Sequence, residues 1–131
     1  MRIAEIADQS LQAVGRSGAA ITVAFVRDAA IRRLNRDYRG RDISTDVLSF
    51  PAGEDVQAGL AQAGEPGEYL GDVVISADTA VSQAQASRYS LEREVSELVI
   101  HGVLHLCGYD HETDRGEMNR MELKLRRKLL D

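Results

Sequence analysis

The sequence predicts an α+β fold: one domain in which a small mixed sheet of three to four short strands packs with four to five helices. Three observations lead to this prediction. The chain has 131 residues, enough for one core and too few for two domains of ordinary size. Segments with apolar residues three or four positions apart predict helices, and shorter β-branched segments predict strands. The two kinds of segment do not alternate strictly along the chain, which favours α+β.

The first part of the chain predicts two helices and two strands. Apolar residues at helical spacing predict a helix over residues 2–15, and an alternating β-branched run predicts a strand over 21–26. Asp28 has the side chain of an N-cap and predicts the start of a second helix, which Gly40 ends. A second, shorter strand is predicted over 47–50.

The second part begins with residues 51–68, which contain both prolines and four glycines and predict a long surface loop. A third strand is predicted over 70–75 and a helix of small residues over 77–88. Ser90 is the expected N-cap of a longer helix. A stripe of methionine and leucine predicts a last helix over 113–130, in which the methionines fill the core.

Composition and charge narrow the function classes. The net charge of −5 and the pI near 5.2 argue against indiscriminate binding of nucleic acid. No apolar run has the length of a membrane span, and the N-terminal residues include acids where a signal peptide would be apolar. The single cysteine, Cys107, cannot form an internal disulfide, which agrees with a reducing compartment. We therefore expect a cytoplasmic protein that does not bind a membrane.

Arginines cluster in one segment of this acidic chain. Residues 27–41 contain six arginines and two aspartates. The planar guanidinium group matches the geometry of a phosphate, whereas lysine offers a single point charge. The segment therefore predicts either a contact surface for RNA phosphates or a solvated helix face whose arginines bind no ligand.

All three histidines of the chain fall within eleven residues. His101 and His105 are four positions apart on the predicted helix 90–107, so their imidazoles share one face. Gly108 tolerates the left-handed conformation that ends a helix, and the reversed chain brings His111 to the same point. Three neutral nitrogen donors suit zinc and leave its fourth position open for water. The spacing predicts a zinc site at the end of this helix rather than three unrelated core or polar histidines.

The spacing His-x-x-x-His-x-x-Gly-x-x-His is that of the metzincin metalloproteases. Zinc proteases carry a glutamate general base directly after the first histidine, and this chain has Gly102 there. Either a nearby acid replaces that base, or zinc hydroxide attacks the substrate without one. The nearest acids in the sequence are Asp110, Glu112 and Asp114. The metal ligands of a protease are thus present and its base is absent.

A structural zinc site is the alternative to a catalytic one. Structural sites take four protein ligands and favour cysteine. Cys107 follows His105 by two residues, about 200° round the helix, and is therefore expected to point away from the metal. The sequence favours a catalytic site with one open coordination position.

Two long motifs of this chain resemble those of the YbeY family. One is His101-Gly-Val-Leu-His105-Leu-Cys-Gly-Tyr-Asp-His111, and the other is Leu34-Asn-Arg-Asp-Tyr38-Arg39-Gly-Arg-Asp42-Ile-Ser-Thr45-Asp-Val-Leu-Ser-Phe50-Pro51, with Leu70-Gly-Asp72-Val-Val-Ile75 between them. The resemblance runs in register from about residue 20 to residue 123. Members of the family are bacterial zinc-dependent endoribonucleases that act in ribosomal RNA maturation and in ribosome quality control.

The resemblance implies one YbeY-like metallohydrolase domain over residues 1–131, with one Zn²⁺ per chain. It implies that His101, His105 and His111 are the metal ligands and that Arg39 and His101 are the catalytic residues. The implied substrate is single-stranded ribosomal RNA, at the 3′ end of the small-subunit RNA. The implied partners are the small ribosomal subunit and its proteins, with no DNA. Family members usually begin with an additional strand, so this sheet is expected to lack an edge strand.

Two other functions remain open from the sequence. One is a non-catalytic ribosome-assembly factor in which zinc only fastens the helix to the turn after it. The other is a metallopeptidase or another hydrolase of small substrates. Zinc with a bidentate arginine would stabilise the charge on a pentacovalent phosphate and on a tetrahedral peptide intermediate alike. The residues therefore indicate a zinc hydrolase, and the RNA substrate comes from the resemblance.

Overall fold

The computed structural model describes residues 2–53 and 68–131, which form five helices and three strands. The helices are α1 (Ile3–Ala13), α2 (Asp28–Arg39), α3 (Ala77–Ser87), α4 (Leu91–Leu106) and α5 (Glu117–Leu129). The strands are β1 (Ala20–Val26), β2 (Val47–Pro51) and β3 (Tyr69–Ser76). This architecture confirms the predicted α+β class. Most of the loop predicted over 51–68 lies outside the described residues. In the described ranges, no helix combines the length and the apolar character that crossing a membrane requires.

The sheet is mixed, and β3 is its central strand. The strand order is β1-β3-β2, with β1 parallel to β3 and β2 antiparallel to it. Every residue of β3 from Leu70 to Ser76 is buried. Helices cover both faces of this strand, which is why its three consecutive residues Val73, Val74 and Ile75 are all apolar rather than alternating with polar ones.

The two faces of the sheet contact different helices. Val73 and Ile75 of β3 belong to the main core, which α1, α4 and α5 complete. Val74, between them, points to the opposite face and packs against Ile31 and Leu34 of α2. Successive side chains of a strand alternate between faces, so one strand joins two apolar clusters. The site described below lies where α4, β2 and the end of α2 meet.

The central helix of the main core is α4. Its Val99 and Val103 are completely buried, and the helix contacts α1, α3 and α5 as well as β2 and β3. Ser90 caps its N-terminus, as predicted, because the Ser90 side chain accepts a hydrogen bond of 3.1 Å from the Arg93 amide. A helix packed on so many sides holds its side chains in fixed positions.

The prediction that Asp28 caps α2 is wrong. Arg27 occupies the cap position, and Asp28 is the first helical residue. The Asp28 carboxylate instead accepts hydrogen bonds from the hydroxyl groups of Ser76, Thr79 (2.8 Å) and Ser44 (3.1 Å). The hydrogen bond from Ser76, followed by that from Thr79, lowers the pKa of Asp28. Asp28 therefore binds hydroxyl groups of distant segments, although the local sequence predicts that it caps α2.

Candidate metal centre

Two of the three histidines lie on one face of α4 near its C-terminus. His101 and His105 are one helical turn apart, and their ring centroids are separated by 4.7 Å. Both side chains are half-buried. Because the opposite side of α4 is packed in the main core, the two imidazoles are held at the edge of that core and face outward together.

The turn after α4 brings the third histidine back to the first two. The Tyr109 amide donates to the Leu104 carbonyl at 3.0 Å, and the Gly108 amide donates to the His105 carbonyl at 3.1 Å. This is the Schellman arrangement, and it needs a residue with positive φ at Gly108, where φ is 95°. The chain therefore reverses direction within three residues, as the sequence predicted.

The three imidazoles converge on one point. The His111 ring centroid lies 5.7 Å from that of His101 and 5.4 Å from that of His105. One ligand atom from each of the three side chains lies within 4.8 Å of the others. All three donors are ring nitrogens, so the group fits a transition metal that prefers nitrogen ligands.

Two aspartates hold the loop that carries His111. Asp110 Oδ1 accepts a hydrogen bond from the Glu112 amide at 3.0 Å. Asp114 accepts from the Gly116 amide at 2.9 Å and from the Met118 amide, in the first turn of α5, at 2.8 Å. This loop occupies the segment in which α5 was predicted to begin. The helix therefore starts at Glu117 rather than near residue 113.

The protonation state of His105 suits metal binding. Burial lowers the pKa of His105, and the nearby positive charges of His101 and His111 in their protonated forms lower it further. A lowered pKa favours the neutral imidazole at neutral pH, and neutral imidazole is the form that binds a metal.

Glu122 of α5 contacts the first of the three histidines, His101. Glu122 Oε1 lies 2.8 Å from Nδ1 of His101. A carboxylate at Nδ1 keeps the proton on that nitrogen, so Nε2 becomes the ligand atom and the ring orientation is fixed. Burial alone would raise the pKa of Glu122, but the hydrogen bond to His101 and the charges of His101 and Arg126 lower it below its ordinary value. Glu122 is therefore an ionised acceptor.

Glu122 is itself held by a row of alternating charges between α5 and α4. Arg126 donates a hydrogen bond to Oε2 of Glu122, and its Nη1 lies 3.6 Å from Oε1 of Glu97. Arg93 donates to Oε2 of Glu97 at 2.7 Å. The carboxylate behind His101 is thus fixed from a second direction.

Arg39 lies in the same cavity as the three histidines. The cavity has a volume of about 450 Å³, and its lining includes Arg39, Ser49 and all three histidines. Arg39 and His101 are far apart in sequence, and β2 brings them together because it lies between the end of α2 and α4. The cavity therefore joins the two motifs that the sequence singled out.

The guanidinium group of Arg39 has a defined orientation. Nη1 donates to the Tyr38 carbonyl at 3.0 Å, and Nη2 donates to the Ser49 carbonyl at 2.9 Å. Its central carbon lies 4.7 Å from the centroid of the Phe50 ring, a cation–π distance. Backbone carbonyls and an aromatic face therefore position this cation at the cavity wall.

Gly102 explains why the protease general base is missing. A Cβ atom at Gly102 would lie 2.5 Å from Cγ1 of Val73 in β3. The position after the first histidine thus points into the sheet, and a side chain there would overlap Val73 unless Val73 or the helix moved. Among the acids that the sequence offered as replacements, Asp110 and Glu112 line the cavity. Both carboxylate oxygens of Asp114 instead accept hydrogen bonds from the backbone of α5.

Cys107 is separate from the histidine group, as predicted. It packs against the main core, and the metal-ligand group found within the described ranges consists of the three histidines alone. Burial raises the pKa of the Cys107 thiol, which disfavours the thiolate that a metal requires. A four-ligand structural site that uses this cysteine is not present.

Two residues of the site have no signal in the sequence that we could interpret. Glu122 lies 21 residues after His101, and its neighbours on α5 predict only a helix. Ser49 lies inside a short strand, and its hydroxyl donates to the Gly102 carbonyl at 3.0 Å. Both act through contacts between distant elements, which local spacing does not reveal.

Comparison with known proteins gives consistent matches over most of the chain. A family model described as endoribonuclease YbeY matches residues 1–131. The chain is 44% identical to endoribonuclease YbeY of Solibacter usitatus, covering 91% of this chain and 72% of the relative. It is 45% identical to that of Anaeromyxobacter, and the match covers 89% of this chain and 58% of the relative. It is 47% identical to that of Aquifex aeolicus, and the match covers 85% of this chain and 69% of the relative.

A solved structure has a similar fold. The solution structure of TM1509 from Thermotoga maritima matches with a TM-score of 0.60 and 28% sequence identity. The match covers 95% of this chain and 76% of the Thermotoga chain.

We expect His105→Ala to lose most of the metal that the wild-type protein binds, because two imidazoles do not hold a transition metal tightly. Elemental analysis of the purified proteins measures this, with about one ion per chain expected in the wild type. Cys107→Ala is the matched control: its side chain lies close in sequence but outside the histidine group, so its metal content should equal that of the wild type. Full occupancy in His105→Ala would exclude the three-histidine site.

We expect Glu122→Ala to keep the fold but to bind the metal about 10–100-fold more weakly, because His101 loses the carboxylate that orients it. Competition with a chelating dye measures the affinity, and ¹⁵N NMR of the metal-free protein measures which nitrogen of His101 carries the proton. Glu117→Ala, which removes an exposed carboxylate from the same helix, should change neither. Unchanged affinity and an unchanged His101 tautomer in Glu122→Ala would refute the orienting role.

Proposed function

The chain belongs to the endoribonuclease YbeY family, and from this membership we propose that it is a zinc-dependent endoribonuclease that cuts single-stranded RNA. We further propose that it acts in the maturation of ribosomal RNA, at the 3′ end of the small-subunit RNA, and in ribosome quality control. The observation that carries the proposal is the shared cavity, which Arg39 lines together with the three histidines.

Zinc is the metal that best suits the three histidines. Zinc readily accepts three imidazole nitrogens, and the donors within the described residues include no carboxylate or thiolate. When bound, zinc supplies a Lewis acid with one coordination position open to water or substrate. The lowered pKa of His105 and the carboxylate of Glu122 behind His101 both support binding of a dipositive ion. His101 would thus act in catalysis as the ligand whose orientation Glu122 controls.

Arg39 is the proposed partner of the scissile phosphate. Cleavage of a phosphodiester gathers negative charge on its non-bridging oxygens, and a pre-oriented cation stabilises that charge without having to reorganise. The hydrogen bonds of Arg39 to the Tyr38 and Ser49 carbonyls supply this orientation. A planar guanidinium group can also meet two phosphate oxygens at once. Asp110 and Glu112 line the cavity and are the candidates for moving the proton of the attacking group.

The two competing functions are less well supported by the site. A metallopeptidase of the metzincin type needs a base after the first histidine, and a side chain in place of Gly102 would overlap Val73 of β3. A purely structural zinc needs a fourth protein ligand, and Cys107 is not part of the histidine group. The open cavity in front of the three histidines favours a site that admits a substrate.

The partners follow from the same proposal. The substrate would be single-stranded ribosomal RNA, and the small ribosomal subunit and its proteins would bring the enzyme to it, in the cytoplasm. An acidic chain with a net charge of −5 gains little from long-range attraction to RNA. Delivery by a larger assembly would compensate for this weak attraction.

The proposal predicts that zinc-loaded wild-type protein cuts single-stranded RNA faster than structured RNA and leaves casein intact. Arg39→Lys should keep its zinc and its melting temperature, yet cut RNA at least about 100-fold more slowly, because lysine cannot make the two-point phosphate contact. Gel assays with end-labelled RNA, run beside zinc analysis and thermal melting, measure all three properties.

Arg41→Lys is the matched control, since Arg41 lies two residues further along and does not line the cavity. It should cut RNA at the wild-type rate. If Arg39→Lys also cuts at that rate, Arg39 has no part in the chemistry. If the wild type cuts casein and not RNA, the peptidase is the correct function.

A further inference from the structure

A second basic segment lies in the C-terminal part of the chain. Residues 115–128 contain six basic and two acidic residues, the same formal balance as residues 27–41. The segment includes both lysines of the protein, Lys124 and Lys128. The number of charges therefore does not show which of the two segments is the better surface for RNA, but the ion pairs of each segment in the structure do.

The cations of α5 form one exposed face. Arg120, Lys124, Arg127 and Lys128 are spaced by four, three and one residues, which places them within about 100° of one another round the helix. All four side chains are exposed. Within residues 2–53 and 68–131, none of them forms an ion pair with a carboxylate. Four positive charges thus point into solvent along about 12 Å of helix.

The arginines of α2 differ in this respect. Three arginines of residues 27–41 form ion pairs at 2.9 Å: Arg27 with Asp78, Arg32 with Asp42, and Arg36 with Asp37. Exposed ion pairs are weak, but each places a carboxylate where a phosphate would have to approach. The α5 face carries one acid, Glu117 at its start, whose carboxylate accepts a hydrogen bond of 2.6 Å from the Arg115 amide. The α5 face is therefore the more favourable surface for a polyanion.

The α5 face is continuous with the cavity that Arg39 and the three histidines line, which we call the metal cavity. Tyr109 lines the metal cavity and also a groove of about 340 Å³ whose wall includes Arg120 and Lys124. A further groove of about 360 Å³ continues along the helix past Lys124, Arg127 and Lys128. A chain that leaves the metal cavity over Tyr109 would meet the four cations in sequence order.

We propose that α5 is a phosphate-binding track that carries single-stranded RNA to and from the metal centre. The inference rests on the proposed endoribonuclease function and specifies the path of its substrate. The backbone of the RNA would run from Arg39 and the three histidines, over Tyr109, and along the cations of α5. Tyr109 would offer its ring to a base beside the cavity, since aromatic faces stack on unpaired bases. The RNA would thus be attracted by the local positive charge of the α5 face, although the chain as a whole has a negative net charge.

The test compares two triple variants that remove the same number of charges. Lys124→Gln/Arg127→Gln/Lys128→Gln neutralises α5, and Arg32→Gln/Arg33→Gln/Arg36→Gln neutralises α2. Arg120 is left in place because its Nη1 donates to the Arg115 carbonyl at the start of α5. Binding of a labelled 2′-O-methyl 12-mer, whose intactness is checked on a gel after each titration, is measured by fluorescence anisotropy over a range of salt concentrations. Zinc content and thermal melting confirm that both variants are folded and metal-loaded.

For the α5 variant we expect RNA affinity at low salt to fall about tenfold or more. The log–log salt slope should become shallower by about 2, since each lost phosphate contact removes roughly 0.7. The α2 variant should change both quantities much less. A trinucleotide, which fills only the metal cavity, should bind the wild type and both variants equally.

Three results would overturn the inference. An α5 variant with wild-type affinity and slope, in a protein that still cuts RNA, would reject the track and leave the endoribonuclease intact. A larger loss in the α2 variant would move the RNA path to the arginines of residues 27–41. A wild-type protein that neither binds nor cuts RNA would reject the track together with the proposed function.

Discussion

The close contact between α4 and the sheet is the constraint on which the site depends. With only a hydrogen atom at Gly102, α4 approaches so near to β3 that any side chain there would overlap Val73. At this distance the Ser49 hydroxyl of β2 reaches the Gly102 carbonyl at 3.0 Å. The Ser49 carbonyl in turn accepts a hydrogen bond of 2.9 Å from Arg39. One serine thus links the helix that carries two histidines to the arginine that faces them, and a larger spacing would separate the two halves of the site.

The same contact determines what chemistry the site favours. In a zinc protease the position after the first histidine carries the general base, whereas here it is used for packing. The fold therefore keeps the spacing of a protease motif while removing the group that activates water for peptide cleavage. What it adds is a fixed cation across the cavity, which suits a substrate that is already anionic. Behind the three histidines, Glu122 supplies a carboxylate that orients His101. Its hydrogen bond to His101, followed by the charges of His101 and Arg126, lowers its pKa below the ordinary value despite burial.

Local patterns predicted most of the fold and the histidine group, because both depend on short-range geometry. The four-residue spacing of His101 and His105, the glycine that ends α4 and the Ser90 cap are all readable from neighbours in sequence. The role of Asp28 was not, since its hydroxyl partners come from other segments. For the same reason Glu122 and Ser49 escaped notice. The two basic segments show the limit most clearly. They have the same formal charge, but carboxylates pair with Arg27, Arg32 and Arg36 in one, whereas the four exposed cations on the α5 face of the other form no ion pair within the described residues.

The central claim is that the three histidines and Arg39 form one metal-dependent site for cutting RNA. The most direct test is to strip the metal from the wild-type protein and to titrate Zn²⁺ back while measuring the initial rate of single-stranded RNA cleavage. The claim predicts no cleavage by the metal-free protein, a rate that rises in proportion to added zinc, and a plateau at one equivalent per chain. Full activity of the metal-free protein, or a rate that zinc does not restore, would contradict it.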